Sequence, residues 1–166
     1  MSSVRRSLRR GGMGDVETPS KPPGRPDRTP PPTELSESEC LELLGGVDVG
    51  RLAVELVGGG VDIFPVNFVV HDGTVLLRTG TGTKLTSIEH APSVAFEADS
   101  FDWYERTAWS VVVKGEASLT IDQSEQFESL GIELESWQPG RKPFFVRITP
   151  SSTTGRRFTV RRSVVP

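Results

Sequence analysis

The sequence contains only one cysteine, Cys40, so it offers neither a disulfide framework nor a thiolate cluster for zinc. Its two histidines, His71 and His90, are far apart, and no serine sits in a nucleophile-elbow motif, so no catalytic triad is predicted. No apolar run approaches the roughly 20 residues that span a bilayer, and no apolar stretch follows the basic N-terminus as in a secretory signal. We therefore expect a cytoplasmic protein with no membrane partner.

Positive charge is scarce in most of the chain. Residues 1–33 hold 7 Lys/Arg and 3 Asp/Glu, whereas the remaining residues hold 12 basic and 19 acidic side chains. Nucleic-acid binding needs clustered Lys and Arg to neutralise phosphates. The acidic main part of the chain therefore argues against a specific nucleic-acid partner.

The first 33 residues are rich in arginine and proline and poor in apolar side chains. Such a composition cannot bury enough apolar surface to offset the entropy of ordering the backbone. We predict a disordered tail at 1–33, one folded domain at 34–162 and a short tail at 163–166. Translation that starts at Met13 would remove residues 1–12 from the mature protein.

The folded part opens with a short helix and continues as strands. Ser36 and Glu39 form a capping box, Leu41 and Leu44 supply an apolar stripe, and Gly45-Gly46 ends the helix. The later segments are rich in β-forming residues and are separated by turn signals such as Asp-Gly. The predicted strands are Val49–Val57, Val61–His71, Thr74–Thr79, Ser93–Ser100, Ala108–Ile121, Phe144–Thr149 and Thr154–Arg161, and two further helices are predicted at Lys84–His90 and Gln123–Leu130.

Many strands joined by tight turns, with only short helices between them, indicate a mostly β, closed or nearly closed antiparallel barrel. Pro65 interrupts the ladder of the second strand and therefore marks a bulge or an edge.

The segment from Val75 to Lys84 carries the strongest chemical signal. Arg78 and Thr79 end a strand, two glycines follow, Thr83 can cap the next helix, and Lys84 lies in its first turn. A cation there opposes the helix dipole, unless an anion lies between the lysine and the helix end. Arginine, lysine and threonine together suit a phosphate. On spacing alone, a glycine-rich turn with two solvated cations explains the segment equally well.

Several motifs, in order, resemble those of the pyridoxamine 5′-phosphate oxidase-like, FMN-binding split-barrel family, in particular the short, nitroimidazole-resistance-type subgroup. The resemblance runs from about Leu35 to Phe158. The motifs are Gly50-Arg51-Leu52-Ala53, Phe64-Pro65-Val66-Asn67-Phe68, Thr79 with Thr83-Lys84-Leu85, His90-Ala91-Pro92, Val94-Ala95-Phe96-Glu97 and Trp109 through Ala117 with its Gly-x-Ala ending.

The resemblance implies a six-stranded split β-barrel that forms a homodimer, binds FMN at the dimer interface and acts as an oxidoreductase on a small molecule. The phosphate would be held by Arg78, Thr79, Thr83 and Lys84. The isoalloxazine ring would be lined by Pro65, Val66, Asn67 and Phe68, largely through backbone groups, and contacted by Trp109 and Ser110 across the interface. No residue is nominated as a catalytic acid or base.

Three hypotheses stay open at this stage, and the FMN-dependent oxidoreductase is the first of them. The chain lacks the C-terminal Arg/His-containing segment of true pyridoxamine-phosphate oxidases, so oxidation of pyridoxamine phosphate is not expected. Related split barrels bind the deazaflavin F420 or haem, and Arg156, Arg157, Arg161 and Arg162 could serve an F420 tail. A non-enzymatic flavin-binding, storage or regulatory dimer is the third possibility.

The acidic residues Asp99, Asp102 and Glu105 are close enough in sequence to suggest a metal. Because aromatic residues lie between them, a solvated loop or a lid over the flavin is the better interpretation, and no metal site is predicted.

Overall fold

The computed structural model describes residues 30–120 and 142–160. The predicted helix Gln123–Leu130 lies outside these residues, as do Trp137, Arg161, Arg162, residues 1–29 of the predicted tail and all of 163–166. The elements are β1 (Thr33–Leu35), α1 (Glu37–Leu44), β2 (Val49–Glu55), β3 (Val61–His71), β4 (Thr74–Thr79), α2 (Thr83–His90), β5 (Ser93–Asp102), β6 (Thr107–Thr120) and β7 (Phe144–Thr159).

Six strands close into an antiparallel barrel. Their order is β7-β4-β3-β2-β5-β6, and β6 pairs back with β7 to complete the ring. The short strand β1 adds to β7 on the outside of this ring, at Gly155 to Arg157. The mostly β fold and the six-stranded barrel expected from the sequence are therefore confirmed. Among the described residues, no helix is long and apolar enough to cross a membrane.

The core fills the inside of the barrel because alternate residues of each strand point inward. Phe68 and Phe96 meet edge to face there, with ring centroids 4.6 Å apart. The other fully buried side chains of largest volume in this core are Leu44, Leu52, Leu77, Ile148, Val54, Val75, Val111, Val113 and Val146. Leu76 and Phe145 are also fully buried, but they form a separate cluster with Val69.

Helix α1 begins with the predicted capping box. The backbone N–H of Ser36 donates to Oε2 of Glu39 at 2.8 Å, and the Glu39 N–H donates to Oγ of Ser36 at 3.4 Å. Cys40 and Leu44 are the buried residues of the helix, whereas Leu41 is only half-buried. Cys40 therefore takes part of the core-facing role that the sequence assigned to Leu41, and burial raises the pKa of its thiol.

The last two predicted strands form one continuous strand, so the predicted break after Thr149 is wrong. Pro150 lies inside β7, where its missing N–H would ordinarily interrupt a ladder. At this point β7 pairs only with β6, since β4 pairs with the stretch up to Ile148 and β1 with the stretch from Gly155. Among the described strands, Pro150 therefore has a partner strand on one side only, so its missing N–H can interrupt no ladder on the other side. Strand β1 was not predicted.

Pro65 lies on an edge, as predicted. It is opposite Arg51 of β2, but β4 pairs with β3 only from Phe68 to His71. Among the strands of residues 30–120 and 142–160, none pairs with the second side of the part of β3 that contains Pro65.

Gly115 marks the irregular point of the β6–β7 pairing. The register shifts between Lys114 and Gly115, and a Cβ added to Gly115 would overlap the backbone carbonyl of Thr149. The glycine of the Gly-x-Ala motif is therefore needed because two backbones approach closely where the barrel closes.

We expect Gly115→Ala to destabilise the protein by about 1–3 kcal/mol, because the methyl group can be accommodated only by shifting the backbone of β7. Urea denaturation followed by circular dichroism measures the change. Gly45→Ala is the matched control, since its added Cβ stays 3.4 Å or more from its neighbours and its φ of −65° is ordinary. Equal stability of the two variants would contradict this interpretation.

Candidate functional site

Strands β3 and β4 separate at one end of the barrel. They pair from His71 with Thr74 as far as Phe68 with Leu77, and the ladder stops there. Beyond this point Arg78 and Thr79 pair only with β7. The chain then passes through residues 80–82 into α2. The split between β3 and β4 therefore collects most of the predicted site residues, which come from β3, β4 and the start of α2.

Lys84 is the most unusual side chain at this split. It is half-buried, its Nζ lies 5.4 Å from the centroid of the Phe64 ring, and burial lowers its pKa, with Lys142 as a second cause. The described residues provide no carboxylate within ion-pair distance of it. A partly desolvated ammonium beside a second cation is costly unless an anion joins them.

The two helices of the described chain differ at their N-termini. Helix α1 has Glu37 and Glu39 in its first turn and a side-chain cap, whereas α2 has no acidic residue in its first turn and no side-chain cap. The expectation that Thr83 caps α2 is wrong. Gly82 occupies the cap position with φ +140°, and Thr83 is the first helical residue, with an exposed side chain. The free N–H groups of α2 and the ammonium of Lys84 thus both favour an anion.

Arg78 and Thr79 are partly occupied by protein contacts. Nε of Arg78 donates to the carbonyl of Lys142 at 3.0 Å, and its guanidinium lies 4.9 Å from the centroid of the Phe145 ring. Thr79 is only 4% exposed, and its hydroxyl donates to the Gly80 carbonyl at 3.2 Å. Only Nε of Arg78 is used in its hydrogen bond to Lys142, so its terminal nitrogens could donate to a ligand. The Thr79 hydroxyl instead donates within the turn that follows β4.

Lys142 was not predicted as a site residue. It precedes β7, its carbonyl accepts from Arg78, and its charge contributes to the lowered pKa of Lys84. A cation two residues before the Phe144-Phe145 pair was the only signal in the sequence. Its proximity to Lys84 follows from the pairing of β4 with β7, which brings together residues almost sixty positions apart.

The predicted ring-lining residues alternate between the two faces of β3. The side chains of Val66 and Phe68 are buried in the core, so only their backbone groups can face a ligand outside it. Pro65 is exposed, and Asn67 is half-buried with its Nδ2 donating to the Asp48 carbonyl at 3.3 Å. The ring site itself stays a prediction.

Trp109 and Ser110 are not next to the phosphate residues within one chain. They pair with Arg157 and Arg156, whereas Arg78 pairs with Phe145, twelve residues before Arg157 on β7. As neighbours on β6, the two side chains point to opposite faces. Trp109 lines a cavity of about 500 Å³ beside α1, and Ser110 lines another of about 400 Å³.

The remaining polar candidates have structural partners. Oδ1 of Asp102 accepts the N–H groups of Tyr104 and Glu105, Asp99 pairs with Arg51, and His71 lies 3.3 Å from Asp72. In residues 30–120 and 142–160, no three metal-ligating side chains come together.

Comparisons with known proteins agree with the fold. The family model described as pyridoxamine 5′-phosphate oxidase matches residues 36–157. An uncharacterized protein of Mycobacterium tuberculosis, Rv0080, is 36% identical over 75% of this chain and 84% of its own. The structure of the FAD binding protein from Mycobacterium smegmatis is 39% identical, covers 77% of this chain and 99% of its own, and superposes with a TM-score of 0.61.

A Bacteroides thetaiotaomicron structure named for 5-nitroimidazole antibiotic resistance has a TM-score of 0.61, covering 78% of this chain and 90% of its own. At 14% identity, this likeness shows a shared fold. The family resemblance inferred from the sequence is confirmed.

We expect Lys84→Met to stabilise the ligand-free protein by about 0.5–1 kcal/mol at neutral pH, because methionine keeps the packing on Phe64 without a desolvated charge.

The lowered pKa of Lys84 also predicts that the stability of the protein depends on pH. The unfolded chain keeps the proton up to its ordinary pKa of 10.5, whereas the folded chain releases it earlier. Stability of the original protein should therefore rise with pH just below 10.5.

Urea denaturation at several pH values measures both effects. The free energy of unfolding should rise less with pH in the variant than in the original protein, because the variant has no lysine at position 84. Lys114→Met, which removes an exposed cation, is the control. A Lys84→Met protein that is less stable at neutral pH would contradict this prediction, because it would show that contacts within the chain already stabilise the Lys84 ammonium.

Proposed function

Since the chain belongs to the pyridoxamine 5′-phosphate oxidase family, we propose that it binds FMN and acts as an oxidoreductase on a small molecule. The observation that carries this proposal is Lys84, a half-buried cation with a lowered pKa, no acidic partner among the described residues and an uncapped helix end beside it. A phosphate monoester supplies the missing negative charge and several acceptor oxygens.

In this proposal the phosphate is held by Lys84, the first N–H groups of α2, the Thr83 hydroxyl and the terminal nitrogens of Arg78. Lys142 adds positive charge and holds the Arg78 side chain through its carbonyl. Because Thr79 is buried, its contribution is to shape the turn. The split between β3 and β4 then offers the backbone of Pro65 to Phe68 to the ring.

A bound flavin supplies the redox chemistry itself, and the protein positions it and tunes its electronics. The role of this chain is therefore to bind the phosphate, orient the ring and exclude water. No side chain at the split is required as an acid or base. A small planar acceptor fits a site that is lined largely by backbone groups.

The name of the Mycobacterium smegmatis structure supports a flavin of some kind, since that protein is called FAD-binding. Among the alternatives, F420 was favoured by the basic stretch near the end of the chain. Arg156 and Arg157, however, lie next to each other on β7 and line different cavities. They do not form one cationic patch, so FMN remains the proposed ligand.

We expect Lys84→Met to weaken FMN binding about 10- to 100-fold, because one charge-assisted contact to the phosphate is lost. Titration of the protein into FMN, followed by flavin fluorescence, gives the affinity. Riboflavin, which lacks the phosphate, should bind weakly to both proteins, and titrations with FAD, F420 and haem compare the other ligands.

Lys114→Met is the control for loss of a positive charge elsewhere, and its affinity should equal that of the original chain. An unchanged FMN affinity in Lys84→Met would remove the phosphate argument. Incubating the FMN-loaded protein with NADH or NADPH and a panel of small acceptors then separates an oxidoreductase from a protein that only stores flavin.

The proposal includes a homodimer, because the predicted ring contacts are divided between distant parts of the chain. Trp109 and Ser110 of β6 pair with Arg157 and Arg156 of β7, whereas Arg78 of β4 pairs with Phe145 near the start of that strand. If they contact the flavin, a second copy has to provide them. The partner of this chain is then the chain itself.

One outer face of the barrel is suited to such a contact. On β3 it exposes Val61, Ile63 and Pro65, and Ile63 is 61% exposed although it is a large apolar residue. Beside them Arg51 pairs with both Glu97 and Asp99. Burial, and to a lesser degree Asp99, raises the pKa of Glu97 although Arg51 opposes this. We call the outer surface of β3, β2, β5 and the Ser110 region of β6 the outer face.

We expect Ile63→Glu to shift the protein from dimer to monomer and to weaken FMN binding, since a buried carboxylate at an interface is costly. Size-exclusion chromatography with light scattering gives the oligomeric state. Val57→Glu places the same charge at the exposed β2–β3 turn and should leave a dimer. A monomeric original protein that still binds FMN would contradict the dimer while leaving the FMN site in place.

A further inference from the structure

The turn between β5 and β6 exposes two large aromatic side chains. Trp103 is 81% exposed and Tyr104 is 98% exposed. Neither is needed for the core, and both would be more stable against another surface. We call Asp102 to Thr107 the hairpin tip.

The hairpin tip is held firmly by its own contacts. Oδ1 of Asp102 accepts the N–H groups of Tyr104 at 2.7 Å and Glu105 at 2.9 Å. The ring of Phe101 packs edge to face against Trp103, with centroids 4.4 Å apart. A surface that is already ordered loses little entropy when it binds a ligand.

The hairpin tip continues the outer face beyond the end of the barrel. Phe101 pairs with Ala108, and Ala108 pairs with Phe158, so these residues form a row across three strands. Two residues further along β6 from Ala108, Ser110 points to the same side. The row therefore joins the hairpin tip to the outer face, which includes a predicted flavin contact.

We propose that Trp103 and Tyr104 of one protomer stack on the flavin ring held at the β3–β4 split of a second copy. This inference rests on the proposed function. The chemistry of the hairpin tip favours a ring over an anion, because Asp102 and Glu105 outnumber the single cation, Arg106, and the resulting negative charge would repel phosphates or an anionic membrane. Stacked aromatic rings need no charge and recognise a planar ring by shape.

The first experiment uses the full chain with the double substitution Trp103→Ala and Tyr104→Ala. FMN affinity should fall about 10- to 100-fold, as expected for the loss of two aromatic stacking contacts. The fluorescence of bound flavin should also increase, because a stacked indole or phenol ring quenches it. Val57→Ala removes apolar surface from another exposed turn and is the control, and circular dichroism confirms that both variants fold.

The second experiment asks whether the hairpin tip acts on the partner's flavin. A differently tagged Lys84→Met chain is co-expressed with the double variant, and the mixed dimer is purified. If the hairpin tip acts across the interface, one site carries both defects and the other carries neither. Half of the sites should then bind FMN with the original affinity.

Unchanged affinity and unchanged flavin fluorescence in the double variant would overturn the inference while leaving the proposed function standing. A mixed dimer in which both sites are weakened, each by one of the two defects, would place the hairpin tip on its own chain's flavin and overturn the arrangement. Binding to phosphatidylcholine vesicles that is lost in the double variant, with FMN binding unaffected, would assign the tip to membranes instead. An original protein that binds no FMN would refute the proposed function itself.

Discussion

The barrel depends on one long strand that pairs on both sides. β7 forms ladders with β4 near its start and with β6 along its length, and this closes the ring. The closure requires Gly115, because a side chain there would overlap the backbone of β7. The same strand places Lys142 and Phe145 beside Arg78 at one end and Arg157 beside Trp109 at the other. The barrel closure therefore also sets the positions of the two groups of candidate site residues.

At the split between β3 and β4, the protein keeps an electrostatic arrangement that is unfavourable for the ligand-free chain. Lys84 is half-buried near Lys142, and α2 begins without a cap, whereas α1 is capped by its own side chains. Natural sequences tend to break local stability rules where function requires it. A bound phosphate would balance the charge of Lys84 and accept hydrogen bonds from the first N–H groups of α2, so the cofactor proposal rests on this arrangement as well as on the family.

The outer face and the hairpin tip form a second surface that exposes large apolar side chains. Exposed Ile63, the charged group around Arg51 and the exposed aromatic pair at the hairpin tip lie on one side of the barrel or extend from it. Trp109 and Ser110 lie toward the hairpin end of β6, away from Arg78. The proposed two-chain site would account for both surfaces, because each protomer would then provide the contacts that the other lacks.

The sequence by itself determined the local features, because these depend on neighbours in the chain. Val61–His71 and Thr74–Thr79 were predicted with the bounds that the structure has, and the Ser36 capping box and the edge position of Pro65 were also correct. The placement of Lys84 in the first turn of α2 follows from the same short-range signals. The tertiary structure alone decided the rest. The continuity of β7 through Pro150, the approach of Lys142 to Lys84 and the separation of Trp109 from Arg78 depend on which distant strands pair, and local propensity does not encode that register.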